Sequence, residues 1–199
     1  MAQDSSLTEF WDVRYRDGVT PWEGARLSPE ALAFFQAQPA SRILLPGCGS
    51  AGDLPLLLDC GHQVLAVDFS AQAVEIARAQ WPQAAAHIRQ ADFFAVEETP
   101  SFDMVFERAF LCALPPRLHA RYAEKMARLL RPGGVLLGVF FIADTSRGPP
   151  FGLGMPALSA LLEPAFVLES CVPQAEGVPV FGGRECWMVW RRQHGNGDL

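Results

Sequence analysis

The sequence predicts an α/β fold: a doubly wound, mostly parallel seven-stranded sheet with helices on both faces and a C-terminal antiparallel hairpin. Three observations carry this expectation. Short apolar runs alternate with helical patterns from residue 42 to residue 142, a Gly-rich turn follows the first of those runs, and two β-rich segments separated by turn residues close the chain. With 199 residues, half of them hydrophobic and 19% charged, the chain has the composition of a globular protein and the length of one core, so a single domain over 1–199 is expected.

The elements follow in order. Ser6-Leu7-Thr8-Glu9 has the form of a capping box before Phe10 and Trp11, which predicts a helix over 7–16 stopped by Gly18. A second helix is expected over 28–38, and the apolar run 42–45 opens the sheet as its first strand, halted by Pro46 and Gly47. A helix over 53–60 tolerates Pro55 in its first turn and ends at Gly61. Val64 to Val67 form a buried strand that terminates on Asp68, and Ser70 caps a helix closed by Trp81-Pro82. A short third strand spans 87–91 and a fourth 102–106. From 117 to 130 the apolar positions Leu118, Tyr122, Met126, Leu129 and Leu130 share one helical face. Pro132-Gly133-Gly134 then reads as a turn into the strand 135–142. A Pro/Gly loop, a short helix near 156–162 and the strands 165–172 and 185–191 complete the chain.

Composition excludes several function classes. Sixteen Lys and Arg against 22 Asp and Glu give a formal charge of −6, which argues against a nucleic-acid partner and for a small-molecule substrate. The first eight residues lack the basic-then-apolar pattern of a secretory leader, and the run 135–143 is far short of the roughly 20 residues needed to span a bilayer, so no membrane association is expected. Five cysteines without a C-x-x-C pair and four histidines without ligand-like spacing predict neither a disulfide framework nor a metal site. A cytoplasmic monomer is the expectation.

The chemistry concentrates at the carboxyl ends of the first, second and fourth strands, where open α/β sheets bind ligands. Gly47-x-Gly49-x-x-Gly52 joins a strand to a helix and lets backbone approach a ligand, although the same pattern also serves as a plain tight connection. Asp68 follows at the spacing expected of an acid that accepts hydrogen bonds from both ribose hydroxyls of a nucleoside cofactor. Asp92, before Phe93 and Phe94, could meet an adenine edge, with a helix-cap acid as the competing reading. These features alone do not separate a nicotinamide dinucleotide from S-adenosylmethionine.

Five segments carry a further resemblance. They are Phe10-Trp11-Asp12-Val13-Arg14-Tyr15 with Gly18-Val19-Thr20-Pro21-Trp22, Leu45-Pro46-Gly47-Cys48-Gly49, the stretch 102–111, Ala113-Leu114-Pro115-Pro116-Arg117 followed by Tyr122, and Gly148-Pro149-Pro150-Phe151. In this order they resemble the thiopurine S-methyltransferases and their plant and bacterial relatives, class I methyltransferases that use S-adenosylmethionine. The resemblance implies Trp11 and Tyr15 over the cofactor, and because Trp11, Tyr15 and Trp22 exceed what a short surface helix needs for packing, residues 1–40 are expected to form an N-terminal helical lid, with Trp22 either at the cofactor or filling a core edge. It places Gly47 and Asp68 beneath the cofactor and Phe93 near its adenine, and Cys48, Gly49, Gly52, Asp53, Phe69, Asp92 and Glu107 complete the expected cofactor contacts. It also sets Arg108 by the transferred methyl group, with Glu107 orienting the acceptor or Arg108 itself.

Two departures from the family pattern are expected to alter the acceptor pocket: Glu107 stands where an Asp is common, and Gly152 where relatives carry a larger residue. The acceptors implied are soft nucleophiles, namely aromatic thiols, thiocyanate, halides and selenium or tellurium species. Such nucleophiles need alignment more than a general base. A structural ion pair at the strand end, an oxygen or nitrogen acceptor, and a non-catalytic cofactor-binding protein stay open at this point. Arg184 is expected on the hairpin's surface.

Overall fold

The computed structural model describes residues 4–24, 27–97, 99, 101–145, 147–174 and 177–194. Helices α1 (Thr8–Arg16) and α2 (Pro29–Ala37) precede strand β1 (Arg42–Pro46). Then follow α3 (Leu54–Asp59), β2 (Gln63–Asp68), α4 (Ala71–Gln80), β3 (Ile88–Gln90), β4 (Phe102–Arg108), α5 (His119–Leu129), β5 (Leu130–Phe141), α6 (Met155–Leu162), β6 (Phe166–Pro173) and β7 (Glu185–Arg192). The seven strands form one sheet in the order β3-β2-β1-β4-β5-β7-β6, parallel except for β7, which runs antiparallel between β5 and β6. Strand order reverses between β1 and β4, and it is at such a switch point that the carboxyl ends of the strands open a crevice.

Both faces of the sheet are covered, which is why its central strands read as continuous apolar runs. On one face Ile43, Leu45, Phe106 and Leu137 pack with Phe35 of α2 and Leu54 and Leu57 of α3. On the other, Leu44, Val105 and Leu136 meet Tyr122, Met126 and Leu129, the apolar stripe of α5. Ser28 and Ser70 cap α2 and α4 by accepting from Ala31 N and Ala73 N.

Two local expectations give way. Helix α1 has Leu7 at its N-cap and no capping side chain. The Ser6 hydroxyl instead donates to Asp4 at 2.8 Å and accepts from Arg117 at 2.6 Å, because an external ion pair competes for it. The expected turn at Pro132-Gly133-Gly134 lies inside β5: pairing with β4 jumps from Phe102↔Leu130 to Met104↔Val135, so the extra residues are absorbed as a bulge.

Candidate functional site

The end of β1 turns sharply into the loop before α3. Gly47 and Gly49 both sit at positive φ, +57° and +53°. A Cβ at Gly47 would overlap the Phe110 ring, and one at Gly49 would overlap the Tyr15 hydroxyl and Glu23 Oε1. Glycine is required here by conformation and by close approach together.

Asp68, at the end of β2 and 8% exposed, is clamped to this loop: Oδ2 accepts from Gly49 N and Oδ1 from Ser70 N, each at 2.9 Å. Each oxygen keeps one lone-pair direction for a further donor. Burial pushes this acid up to about 6, aided by the charges of Glu23 and Asp12 and opposed by the two backbone N–H groups.

The N-terminal segment closes the other side. Trp22 Nε1 donates to the Tyr15 hydroxyl at 3.2 Å, Tyr15 donates to Glu23 Oε1 at 3.0 Å, and Ser50 N donates to that same oxygen at 2.8 Å. Trp11 meets Trp22 edge to face with ring centroids 5.3 Å apart. Asp12 accepts from Ser70 Oγ at 2.5 Å and from Gln72 N at 3.3 Å, tying α1 to the N-terminus of α4. Between the loop and this segment lies a cavity of about 1130 Å³ lined by Trp11, Tyr15, Trp22, Glu23, residues 47–53, Asp68, Phe69, Asp92, Phe93 and Arg108. Toward α5 and the 177–184 loop the lining continues with Phe110, Leu114, Arg117, Arg121, Pro149, Pro150, Val180 and Phe181.

At the end of β4 the two expected residues separate. Arg108, with its side chain 13% exposed, lines the cavity and donates to Asp53 Oδ1 at 3.2 Å. Asp53, expected to meet the cofactor, lines the cavity and is also the arginine's partner, and burial pushes its carboxyl above the usual range despite that cation. Glu107 does not line this cavity. It is 1% exposed, accepts from Phe110 N at 2.9 Å and from Tyr122 OH at 3.4 Å, and burial raises it to about 7. Glu107, expected as a contact to cofactor or acceptor, is bonded to Phe110 and Tyr122 and lines a small separate pocket with Leu111, Cys112 and Phe151.

Asp92 faces the cavity rim, and its Oδ1 caps the one-turn helix Phe93–Ala95 by accepting from Phe94 N at 2.9 Å. The competing cap reading thus describes one of its two oxygens. Gly152 does not line the cavity either: a Cβ there would overlap the Ala143 carbonyl, so its small size serves loop packing. Arg184 donates to the Phe181 carbonyl at 3.2 Å and stacks on Phe141, away from the crevice.

Three residues of the site escaped the sequence reading. Glu23 acts 27 positions away on Ser50, Asp12 acts 58 positions away on Ser70, and Trp81 donates to the Ser50 carbonyl at 3.1 Å. Only the folded chain brings these pairs together, and no local spacing announces them.

Solved structures with this fold include 1,6-didemethyltoxoflavin-N1-methyltransferase of Burkholderia thailandensis, bound to 1,6-didemethyltoxoflavin and S-adenosylhomocysteine. Its TM-score is 0.76 at 21% identity, covering 94% of this chain and 88% of that one. N-methyltransferase NodS of Bradyrhizobium japonicum, also with S-adenosylhomocysteine, matches with a TM-score of 0.73 at 18% identity, covering 94% of this chain and 99% of that one. The fold and site define a class I S-adenosylmethionine-dependent methyltransferase.

The family model for thiopurine S-methyltransferase matches residues 6–192, and the chain belongs to that family. Among its relatives, a probable thiol methyltransferase 2 of Arabidopsis thaliana is 30% identical over 77% of this chain and 71% of its own length. Thiocyanate methyltransferase 1 of Brassica oleracea is 29% identical over 92% and 84%. A thiopurine S-methyltransferase of Pseudomonas putida is 31% identical over 73% and 77%.

The donor set suits S-adenosylmethionine: a buried acid with two spare lone-pair directions for ribose hydroxyls, a glycine cradle, and aromatic rings along the cavity. Among the described residues no group of three or more potential metal ligands occurs, and no helix is long and apolar enough to cross a membrane.

Proposed function

We propose that this enzyme methylates a soft, anionic small-molecule nucleophile, such as a thiolate, a thiopurine-like thiol, thiocyanate, a halide, or a selenium or tellurium species. The observation that carries the reading is Arg108 at the switch point, mostly buried, lining the cavity and braced by Asp53. S-adenosylmethionine supplies an activated methyl group on a sulfonium when bound. The chain's own part is to hold, align and dry. Arg108 offers planar, permanently charged donors to the acceptor anion, and Asp53 fixes the direction of the guanidinium. Leu114, Phe110, Pro149, Pro150 and Phe181 exclude water from the acceptor's side of the cavity.

No general base is needed by an acceptor that already carries its charge, and the lining supports that economy. Among the described residues that line the cavity there is no histidine. Burial drives the thiols of Cys48 and Cys112 well above their usual range, and burial beside Glu23 and Asp68 raises Tyr15 likewise.

The aromatic side chains of α1 and the following segment support residues 1–40 acting as a lid over the cofactor, latched by Asp12 and Glu23. Five free cysteines support a reducing, cytoplasmic setting, and a monomer is the form proposed. The test is a panel of sulfur, selenium, tellurium, halide, oxygen and nitrogen acceptors offered with methyl-labelled cofactor. Label should move to the soft acceptors, and transfer only to oxygen or nitrogen, or binding without transfer, would overturn the reading.

A further inference from the structure

Glu23 enters the site from the segment between α1 and α2, and its contacts are one-sided. Tyr15 OH and Ser50 N both donate to Oε1, whereas among the described residues Oε2 takes no hydrogen bond. The residue is half-buried and lines the large cavity.

Its place bears on what the Gly-rich loop can bind. A strand-to-helix loop ordinarily offers its N–H groups to an anionic ligand. Here the chain itself consumes them: Gly49 N goes to Asp68 and the next amide, Ser50 N, goes to Glu23. Two carboxylates on successive amides make this end of the cavity complementary to a cation, and the charge of Glu23 helps burial hold Asp68 above the usual carboxylate range because the two share poorly solvated space.

We propose that Glu23 is a direct ligand of the cofactor's cationic amino-acid end, its Oε2 accepting from the α-ammonium group while Oε1 staples the lid to the loop. This inference rests on the methyltransferase reading of the same site. An ammonium brings three donors and a full charge, so a carboxylate with one free oxygen is its natural counterpart. Asp68 then addresses the ribose and Glu23 the amino acid, which fixes the cofactor at two points on either side of its sulfur.

The rival role for Glu23 is the staple alone, and Glu23→Gln separates the two. Glutamine keeps an acceptor oxygen for Tyr15 and Ser50 but removes the charge. Calorimetry with S-adenosylmethionine, S-adenosylhomocysteine and methylthioadenosine, which lacks the amino-acid end, is the readout. The variant should bind the first two about tenfold or more weakly, with methylthioadenosine changed less than about twofold. A parallel loss for all three would reduce Glu23 to the staple and overturn the proposal, as would no change for any.

Should the variant fail to fold, the wild-type protein decides by its preference for S-adenosylhomocysteine over the analogue with hydrogen in place of the α-amino group. A loss of about tenfold is expected, and equal binding would overturn the inference. Wild-type protein that binds none of these nucleosides would overturn the methyltransferase reading, and this inference with it.

Discussion

Cofactor affinity should depend on pH through Asp68, and the size of the effect follows from the site. The acid is buried, stands at about 6, and already receives one backbone N–H on each oxygen. Ribose hydroxyls need it ionised, so protonation competes with binding. The sign is then fixed: affinity is full above about 6 and is lost as pH falls through that value. One pH unit is worth about 1.4 kcal/mol, so at pH 5 the protein should bind about tenfold more weakly than on its plateau. Calorimetry from pH 5 to 8 measures this, and paired buffers of unlike ionisation enthalpy should reveal proton release on binding near pH 6. Asp68→Asn should flatten the profile and cost roughly 1.5 to 3 kcal/mol on the plateau above pH 6, the cost shrinking toward pH 5 as the wild-type acid is itself protonated. A flat wild-type profile, or an unchanged slope in Asp68→Asn, would refute the assignment of the ribose to this acid.

Three other outcomes follow from the same geometry. Gly49→Ala places a methyl group against Tyr15 and Glu23 at positive φ, so thermal melting should report a loss of about 1 to 2 kcal/mol and calorimetry a loss of cofactor binding exceeding about tenfold. Glu107, raised to about 7 by burial, binds its proton more tightly when folded. Glu107 should therefore make stability decline as pH rises from its ordinary 4.5 toward 7, by up to about 3 kcal/mol in denaturant titrations, and Glu107→Gln should remove that share of the slope while leaving the part due to Asp68. Deleting residues 1–22 removes Trp11, Tyr15, Trp22 and the Asp12 latch, so turnover should vanish while far-ultraviolet circular dichroism still shows the sheet; full activity after truncation would contradict the lid.

What was legible in the sequence was whatever depends on local order. Strands β1, β2 and β4 stand out as apolar runs because both faces of the sheet are covered, and Asp68 is visible because a strand, a glycine turn and an acid recur at a fixed separation. The β5 bulge was hidden, since Pro132-Gly133-Gly134 reads as a turn until its pairing with β4 sets the register. The hydrogen-bond partners of Glu107 were hidden for a similar reason. A motif names both residues of an acid-Arg pair, but the pleat of β4 sends one to Tyr122 and the other to the crevice. Glu23 and Asp12 were invisible because their partners lie far along the chain.

The central claim is that Arg108 holds an anionic acceptor beside the bound cofactor, and Arg108→Met tests it most directly. Methionine keeps much of the apolar stem and removes the donors. Steady-state kinetics with an anionic thiol should show kcat/KM lowered by about 10- to 150-fold, the equivalent of 1.5 to 3 kcal/mol, with the loss mainly in KM. Calorimetric affinity for S-adenosylmethionine should barely move. A variant that loses cofactor binding or unfolds, while the kinetics per folded molecule stay unchanged, would assign Arg108 to a purely structural pair with Asp53 and contradict the account.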